Sequence, residues 1–349
     1  MEKETFKPQK PVYIISSASV AGQKEKSGPL GEYFDLCGDD RFGKDTWEKS
    51  EAEMQRLAVR LALDKSNMQD CDIDIMFAGD LINQCISSSF GLIDYRIPFL
   101  GLFGACSTCA EGMLMASIYA GSVCDRCVSA TSSHYCTAER QFRYPLEYGG
   151  QRTPTSQWTV TAAGSFVYSS LHGDIDKFKG EYIPEITEVM PGCIVDRGIS
   201  DANNMGAAMA PAAADTIERY FSCGHTPDEF DLIITGDLGR EGSAILKDLL
   251  KNKNIDISSN HVDCGRMIFS EYESDTHAGG SGCGCSAAVM AADILPNIMS
   301  GKIKNILFIA TGALMNSLSV NQGQTIPGIA HLIHIKGTAK NEVCNKKVN

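Results

Sequence analysis

The chain lacks the features that mark membrane, secreted and nucleic-acid-binding proteins. None of its apolar runs approaches the ~20 residues that a membrane-spanning helix needs. Its opening segment, MEKETFKPQK, is charged and has no apolar stretch of the kind found in secretory signal peptides. The 31 Lys and Arg residues are outnumbered by 43 Asp and Glu, so a net charge of −12 argues against a bulk electrostatic grip on nucleic acid or anionic membranes.

Two common catalytic motifs are also missing, because the sequence contains neither a P-loop nor a Gly-x-Ser-x-Gly nucleophile elbow. The segment Gly282–Ala287 fits the G-x-G-x-x-A pattern of dinucleotide-binding folds only in part. That fingerprint needs a strand before it and an acidic residue near the end of the next strand, and the sequence predicts neither. We therefore interpret this segment as a glycine-rich turn that permits close backbone packing.

Cysteine, by contrast, is abundant. Fourteen cysteines without a secretory signal indicate reduced thiols in a cytosol-like compartment. Two C-x-x-C pairs, Cys106/Cys109 and Cys124/Cys127, are separated by a predicted helix. At ~1.5 Å per residue that helix holds the pairs roughly 20 Å apart, too far for one zinc ion, so no metal site is predicted. A redox role for Cys106/Cys109, which share a helix start, stays open as a minor alternative.

The stretch Leu100–His134 organises the chain. An apolar run ends in a glycine-containing turn, Cys106 follows at once, Thr108–Val123 has helical spacing, and Cys127–Ala130 is a second apolar run. This pattern predicts a strand, a tight turn, a buried helix and another strand. Free N–H groups and the helix dipole favour negative charge at a helix N-terminus, so Cys106 is a candidate reactive thiol of lowered pKa. The alternative is a buried structural cysteine.

The second half of the chain repeats the pattern of the first. DIDIMFAGDL at 72–81 resembles EFDLIITGDL at 229–238, and a glycine-rich turn again precedes a helix and a strand. Strands that alternate with helices predict an α/β fold with parallel strands and helices on both faces. We expect two halves, 1–185 and 186–349, that pack face to face and bring Cys106 near the turns at Gly236 and Gly280.

Polar side chains follow several predicted strands, where ligands bind in parallel sheets. His134 follows the strand after the Cys106 helix, in Ser132-Ser133-His134, and Asp80, Asn83 and Asp237 follow other strands. Helix capping or turn formation is the alternative role for the Asp and Asn residues.

Longer motifs carry a resemblance to a known family. The duplicated halves, the Gly-Ala-Cys-Ser-Thr turn and the Gly-Gly-Ser-Gly-Cys-Gly turn resemble thiolases and beta-ketoacyl-acyl-carrier-protein synthase III. Within that superfamily the chain is similar to the stage V sporulation protein AD family. The motifs that carry this similarity are Phe77–Leu81 with Asn83-Gln84, Gly101–Thr108, Gln141–Pro145 with Glu147–Gln151, and Gln157–Thr161.

The resemblance implies a thiolase-like fold, with two pseudo-repeated βαβ halves in a five-layered αβαβα core. It also implies a role in endospore formation and germination, a homodimer, and binding of dipicolinic acid (pyridine-2,6-dicarboxylate) during its passage into the spore. The protein is then expected on the cytoplasmic side, peripheral at the spore inner membrane, and docked by its surface to other proteins of a membrane transport assembly. No cofactor is implied.

One departure from the superfamily bears on catalysis. Condensing enzymes of this fold use a Cys with a His and an Asn, or with two His, from the second half. Cys106 stands at the nucleophile position, but Gly236-Asp237 and Cys283-Gly284-Cys285 stand where the partners belong. Losing one oxyanion donor typically costs about 10²–10³ in rate. His277 could substitute only if its loop folds back.

The sequence therefore predicts a catalytically retired thiolase fold that binds dipicolinate. N–H groups at the Cys106 helix, hydroxyls, His134 and an arginine, Arg143 or Arg152, would suit a flat dianion; a surface or dimer-contact role for the arginines is the alternative. The open alternative function is an acyltransferase or condensing enzyme with Cys106 as its acyl-accepting nucleophile. The predicted ligand-binding residues are Asp80, Asn83, Cys106, Ser107, Ser132, Ser133, His134, Arg143, Asp237, His277, Gly280 and Ser281.

Overall fold

The computed structural model describes residues 5–142, 152–271 and 275–345. Its strands are β1 (Val12–Ala21), β2 (Leu36–Cys37), β3 (Ile75–Gly79), β4 (Phe99–Gly101), β5 (Arg126–Ser133), β6 (Trp158–Thr159), β7 (Ala162–Ser169), β8 (Tyr182–Met190), β9 (Leu232–Thr235), β10 (His261–Asp263), β11 (Gly280–Ser281), β12 (Asn305–Ala313) and β13 (Gly328–Ala339).

The helices alternate with these strands over most of the chain. They are α1 (Gln23–Lys26), α2 (Trp47–Ser66), α3 (Ile86–Gly91), α4 (Thr108–Ser122), α5 (Tyr135–Phe142), α6 (His172–Lys177), α7 (Met205–Ser222), α8 (Gly239–Lys251), α9 (Cys264–Met267), α10 (Cys283–Val289), α11 (Leu295–Met299), α12 (Ser317–Asn321) and α13 (Lys340–Asn345). A π-helical segment, Met290–Ile294, joins α10 to α11.

The strand order repeats. From the middle of the large sheet outward it runs β1-β7-β5-β3-β4 on one side and β8-β13-β12-β9-β10 on the other, while β2 pairs with β1. The corresponding pairs have the same sense, parallel at β5/β3/β4 and β12/β9/β10 and antiparallel at β1/β7/β5 and β8/β13/β12. An antiparallel contact of Val12 with Ile186 and Tyr13 with Glu185 joins the two sets.

The sheet is mixed rather than all parallel, because β7 and β13 return beside β5 and β12 without a crossover. The expected boundary between residues 185 and 186 falls inside β8, and the division into halves 1–185 and 186–349 stays a prediction.

The helices form layers around the strands. Helix α2 packs on one outer face, against β1, β7 and β5, and α7 packs on the other, against β13 and β12. Between them α4 contacts strands of both halves, and α10 of the second half packs on β5 and β7 of the first. Such a central helix must be apolar all round, and α4 (TCAEGMLMASIYAGS) meets this requirement with one charged residue, Glu111. Its N-terminus places Cys106 where the two halves meet.

Candidate functional site at Cys106

A tight turn between β4 and α4 presents Cys106. Ala105 has a φ of +52°, in the left-handed region that non-glycine residues seldom adopt. The turn is closed by the side chains that begin the helix, since Ser107 Oγ donates to the Gly104 carbonyl at 2.6 Å and Thr108 Oγ1 to the Ala105 carbonyl at 2.7 Å. Ser107 therefore stabilises the turn through its hydroxyl. Cys106 itself is buried.

The second half supplies the groups next to the thiol. Cys106 Sγ lies 3.7 Å from Ser281 Oγ, at the end of β11. Ser281 Oγ in turn donates to Asp237 Oδ2 at 2.9 Å. Asp237 also accepts hydrogen bonds from Gly282 N at 2.8 Å and from Thr311 Oγ1 at 2.9 Å. The structure thus brings together three of the predicted residues, Cys106, Asp237 and Ser281.

This environment keeps the thiol protonated. Burial, followed by the charge of the Asp237 carboxylate, raises the pKa of Cys106 well above its usual value. The direction is opposite to the lowered pKa that a helix N-terminus alone predicts, because desolvation outweighs the dipole. Burial also raises the pKa of Asp237, although three neighbouring groups donate hydrogen bonds to it. At neutral pH Cys106 is therefore a thiol and not a ready nucleophile.

A cavity of about 60 Å³ opens at Cys106. Its polar wall consists of Cys106, Ser281, Thr159 and Glu139, and Thr159 Oγ1 donates to Glu139 Oε1 at 3.0 Å. Its apolar wall includes Leu81, Phe103, Ala138, Met205, Ala313 and Met315. Among the residues that the structure describes, no histidine lines this cavity.

An arginine lies directly behind the polar wall. Arg152 Nη1 is 3.8 Å from Glu139 Oε2, and the guanidinium carbon lies 5.2 Å from the centre of the Trp158 ring. Its Nη2 donates to the Gln157 carbonyl, whereas its buried Nε has no acceptor in the described part of the chain. Arg152 is thus one side chain removed from the cavity.

His134 and its two neighbours, Ser132 and Ser133, do not line the cavity. The ring of His134 is buried against Trp47, with Nδ1 accepting from Cys136 N at 3.1 Å and Nε2 donating to the Asp40 carbonyl at 2.8 Å. Ser133 Oγ donates to the Val160 carbonyl at 2.7 Å. Burial lowers the pKa of His134, which favours the neutral ring. These contacts make His134 and Ser133 part of the packing behind β5.

Buried carboxylates occupy the region near Ser132. Ser132 Oγ donates to Glu51 Oε1 at 3.1 Å, and Thr137 Oγ1 donates to Glu51 Oε2 at 2.6 Å. Burial and the nearby charge of Asp80 raise the pKa of Glu51 to about 8. Asp80 accepts hydrogen bonds from Ser88 N and Oγ at 2.8 and 2.7 Å, as a turn-forming residue does.

The remaining predicted residues have other surroundings. Asn83 is exposed, and His277 lines a separate small cavity with Arg240 and Arg266. Gly280 belongs to β11, and its carbonyl accepts from Gln157 Nε2 at 2.9 Å. Arg143 lies outside the described residues, as does most of the motif Gln141–Gln151. The loop of His277 does not bring this residue to the cavity that Cys106 lines.

Two polar residues of the wall, Glu139 and Thr159, and its apolar residues were not among the site residues predicted from the sequence. Glu139 lies on α5 and Thr159 on β6. The available signal was the motif Gln157–Thr161, which contains Thr159. The two nearby cysteines, Cys283 and Cys285, are fully buried and do not line the cavity; Cys283 Sγ donates to the Ser132 carbonyl at 3.0 Å.

The repeated strand order, the central helices and the cysteine turn define the class: a thiolase-like fold of the condensing-enzyme type. Human mitochondrial 3-ketoacyl-CoA thiolase, solved in complex with CoA, matches with a TM-score of 0.59 at 10% identity, over 96% of this chain and 100% of that chain. The 3-oxoacyl-[acyl-carrier-protein] synthase III of Aquifex aeolicus VF5 matches with a TM-score of 0.52 at 12% identity, over 93% and 99%. The predicted fold class is confirmed.

Sequence similarity identifies the family within this class. The model of the stage V sporulation protein AD family matches residues 2–336. Stage V sporulation protein AD of Bacillus subtilis (strain 168) is 43% identical over 332 residues, which cover 94% of this chain and 95% of that protein. The chain belongs to the stage V sporulation protein AD family and is a sporulation protein on a thiolase-like fold. In the described ranges, no helix is long and apolar enough to cross a membrane.

Proposed function

We propose that this protein binds dipicolinic acid for its uptake into the developing spore, on a thiolase fold that has lost its catalytic function. The observation that carries the proposal is the set of groups that surround the Cys106 thiol. The cysteine turn of the condensing enzymes is intact, yet no described histidine reaches the thiol, and Asp237 and burial hold it protonated. A pocket of this kind supports binding better than acyl transfer.

The size of the cavity favours a small ligand. One buried water needs ~10–15 Å³, so about 60 Å³ corresponds to room for roughly four to six waters. A single flat ring displaces a few waters, whereas a long acyl chain needs an extended tunnel. The apolar lining residues suit the faces of a pyridine ring, and the thiol and hydroxyls of the lining supply polar groups.

The charge of dipicolinate requires a cation near the cavity. Glu139 by itself repels a dianion, but Arg152 lies 3.8 Å from it and keeps a buried Nε without an acceptor in the described residues. In our proposal the guanidinium of Arg152 attracts a ligand carboxylate from behind Glu139 and offsets the charge of that wall residue.

Calorimetric titration with dipicolinate tests this site. We expect saturable binding to the wild type, which Cys106→Leu weakens by filling the cavity and Arg152→Gln weakens by removing the cation. Cys109→Ala is the matched control, because Cys109 is buried in the helix that follows Cys106 but does not line the cavity. Absence of saturable heat, or equal affinity in all four proteins, would refute the proposed site.

The second candidate function, acyl transfer to Cys106, is favoured by the retained turn geometry alone. It predicts a stable mass increase on Cys106 after incubation with acyl-CoA, with release of free CoA thiol. Our proposal predicts no adduct, since a protonated thiol without a base is a poor nucleophile. An intact mass spectrum decides between the two.

We also propose a homodimer formed through β4. This strand is at the edge of the sheet, and all three of its residues are exposed. Phe90 and Ile93, which precede it in the chain, are each 68% exposed. An exposed sheet edge with apolar side chains tends to pair with another chain. A second copy of this protein can pair its own β4 with this strand across a twofold axis.

Light scattering measures this association. We expect twice the chain mass for the wild type and a shift toward the monomer for Leu100→Lys. Val123→Lys, which replaces an exposed apolar residue after α4, should leave the mass unchanged.

The proposed place at the spore inner membrane then requires docking of the dimer to membrane proteins of a transport assembly.

A further inference from the structure

Two cysteines in contact lie at the opposite end of α4 from Cys106. Cys124 follows the C-terminus of α4, and Cys127 is the second residue of β5. Their sulfur atoms are 3.3 Å apart. Neither residue lines the Cys106 cavity, and the function proposed for that cavity uses neither of them. We call Cys124 and Cys127 the CDRC pair, after the sequence Cys-Asp-Arg-Cys that contains them.

Backbone contacts hold the CDRC pair in place without help from the sulfur atoms. The first cysteine donates its backbone N–H to the Tyr119 carbonyl at 2.9 Å. The two residues between the cysteines, Asp125 and Arg126, donate their backbone N–H groups to Asp74 Oδ2 at 3.1 and 2.9 Å. The second cysteine belongs to β5, which pairs with a strand on each side. The remaining step to a disulfide is an approach of the sulfur atoms from 3.3 Å to about 2.05 Å.

The two cysteines of the CDRC pair differ in their access to solvent. Cys124 is half-buried, whereas Cys127 is fully buried. A small oxidant in solution therefore meets Cys124 first, and the sulfur of Cys127 lies in contact behind it. This is the arrangement of an attacking thiol with a resolving thiol.

The other C-x-x-C pair of the chain does not have this arrangement. Cys106 and Cys109 are both buried. Cys106 Sγ lies 3.7 Å from Ser281 Oγ, and the thiol of Cys109 has Ser286 and Thr131 as hydrogen-bond partners. The structure therefore favours the CDRC pair for the redox role that the sequence left open for Cys106 and Cys109.

We propose that the CDRC pair is a redox-active dithiol that reacts with small disulfides of the glutathione class. The Cys124 sulfur attacks one sulfur of oxidised glutathione, and the released glutathione takes up the proton that Cys124 loses. Cys127 then attacks the Cys124 sulfur, and the second glutathione leaves with the Cys127 proton. The protein loses two electrons and two protons to form the Cys124–Cys127 disulfide, and oxidised glutathione becomes two thiols.

The surroundings of the CDRC pair predict that its disulfide forms slowly and persists. Burial raises the pKa of both thiols above their usual value, and the charges of Asp74 and Asp125 also raise the pKa of Cys124. A small thiolate fraction slows the attack on oxidised glutathione. A thiol of high pKa is also a poor leaving group, so reduction of the closed disulfide is slow as well.

Peptide mass spectrometry after prolonged incubation with oxidised glutathione tests the proposal. Trypsin cleaves after Arg126, so a Cys124–Cys127 disulfide holds two tryptic peptides together until it is reduced. We expect these linked peptides in the wild type and their loss in Cys124→Ser. Cys127→Ala should instead keep one glutathione on Cys124, because the resolving thiol is absent.

The matched control is Cys109→Ala/Cys136→Ser, which removes one other cysteine from each of the two linked peptides. It should form the linked peptides as the wild type does. If Cys124 and Cys127 stay unlinked in the wild type, or if the linked peptides persist in Cys124→Ser, the inference is overturned. Loss of the linked peptides in the control also overturns it, because the bond would then involve Cys109 or Cys136.

Discussion

The substitution Gly312→Ala tests how the second half holds the cysteine turn. Gly312 lies on β12, and a Cβ atom there would be 2.2 Å from the Gly104 carbonyl oxygen and 3.1 Å from Ser107 N. Both of these atoms belong to the backbone of the turn around Cys106, so rotation of a side chain cannot relieve the steric clash. Something must move by about 1 Å, and overpacking of this kind costs roughly 1–3 kcal/mol.

The expected result is a lower thermal midpoint. At about 2.1 cal/mol/K per residue, the unfolding entropy of 349 residues converts 1 kcal/mol into roughly 1.4 °C. Gly312→Ala should therefore lower Tm by about 1.5–4 °C and weaken dipicolinate binding, because the displaced turn carries Cys106. Gly173→Ala is the control, since a Cβ at this position of α6 meets nothing within 4 Å. Equal Tm values for the two variants would show that the close packing of Gly312 against the turn does not contribute to stability.

Further predictions concern buried ionisable groups. Burial raises the pKa of Cys106 most, and the charge of Asp237 adds to that effect. Asp237→Asn removes this second contribution, so iodoacetamide should alkylate Cys106 faster than in the wild type, as peptide mass spectrometry can measure. Burial raises the pKa of Glu25 to about 8; the folded state then keeps this proton longer than the unfolded chain, and stability falls as pH rises from about 4.5 through 8. Glu25→Gln should make that decline shallower by up to ~1.4 kcal/mol per pH unit in urea unfolding. The exposed Glu32→Gln should leave the slope unchanged, and equal slopes for both variants would refute the reasoning.

The sequence was sufficient to predict that Cys106 lies near the turns at Gly236 and Gly280, which carry Asp237 and Ser281. Internal repetition of strand, glycine turn and helix implies that matching strand ends of the two halves face one another, and the structure places these three residues together. The Cys106 turn is local, so its position before α4 also followed from hydrophobic periodicity and glycine spacing.

The direction of side chains at strand ends could not be read in the same way. His134 follows β5 directly, but side chains alternate along a strand, and its ring faces Trp47 and the Asp40 carbonyl rather than the cavity. Glu139 lies in a segment whose sequence is irregular and Thr159 at the start of a predicted strand, and in neither case does the pattern indicate that the side chain reaches the site. The raised pKa of Cys106 depends on burial, which spacing alone does not reveal.

Protection of Cys106 from alkylation by dipicolinate tests the central claim most directly. Peptide mass spectrometry would follow iodoacetamide labelling of Cys106 and of the exposed Cys71 in the same sample, with and without saturating dipicolinate. If the ligand occupies the Cys106 cavity, labelling of Cys106 slows several-fold while labelling of Cys71 is unchanged. Unchanged labelling of Cys106 at a dipicolinate concentration that calorimetry shows to be saturating would contradict the account.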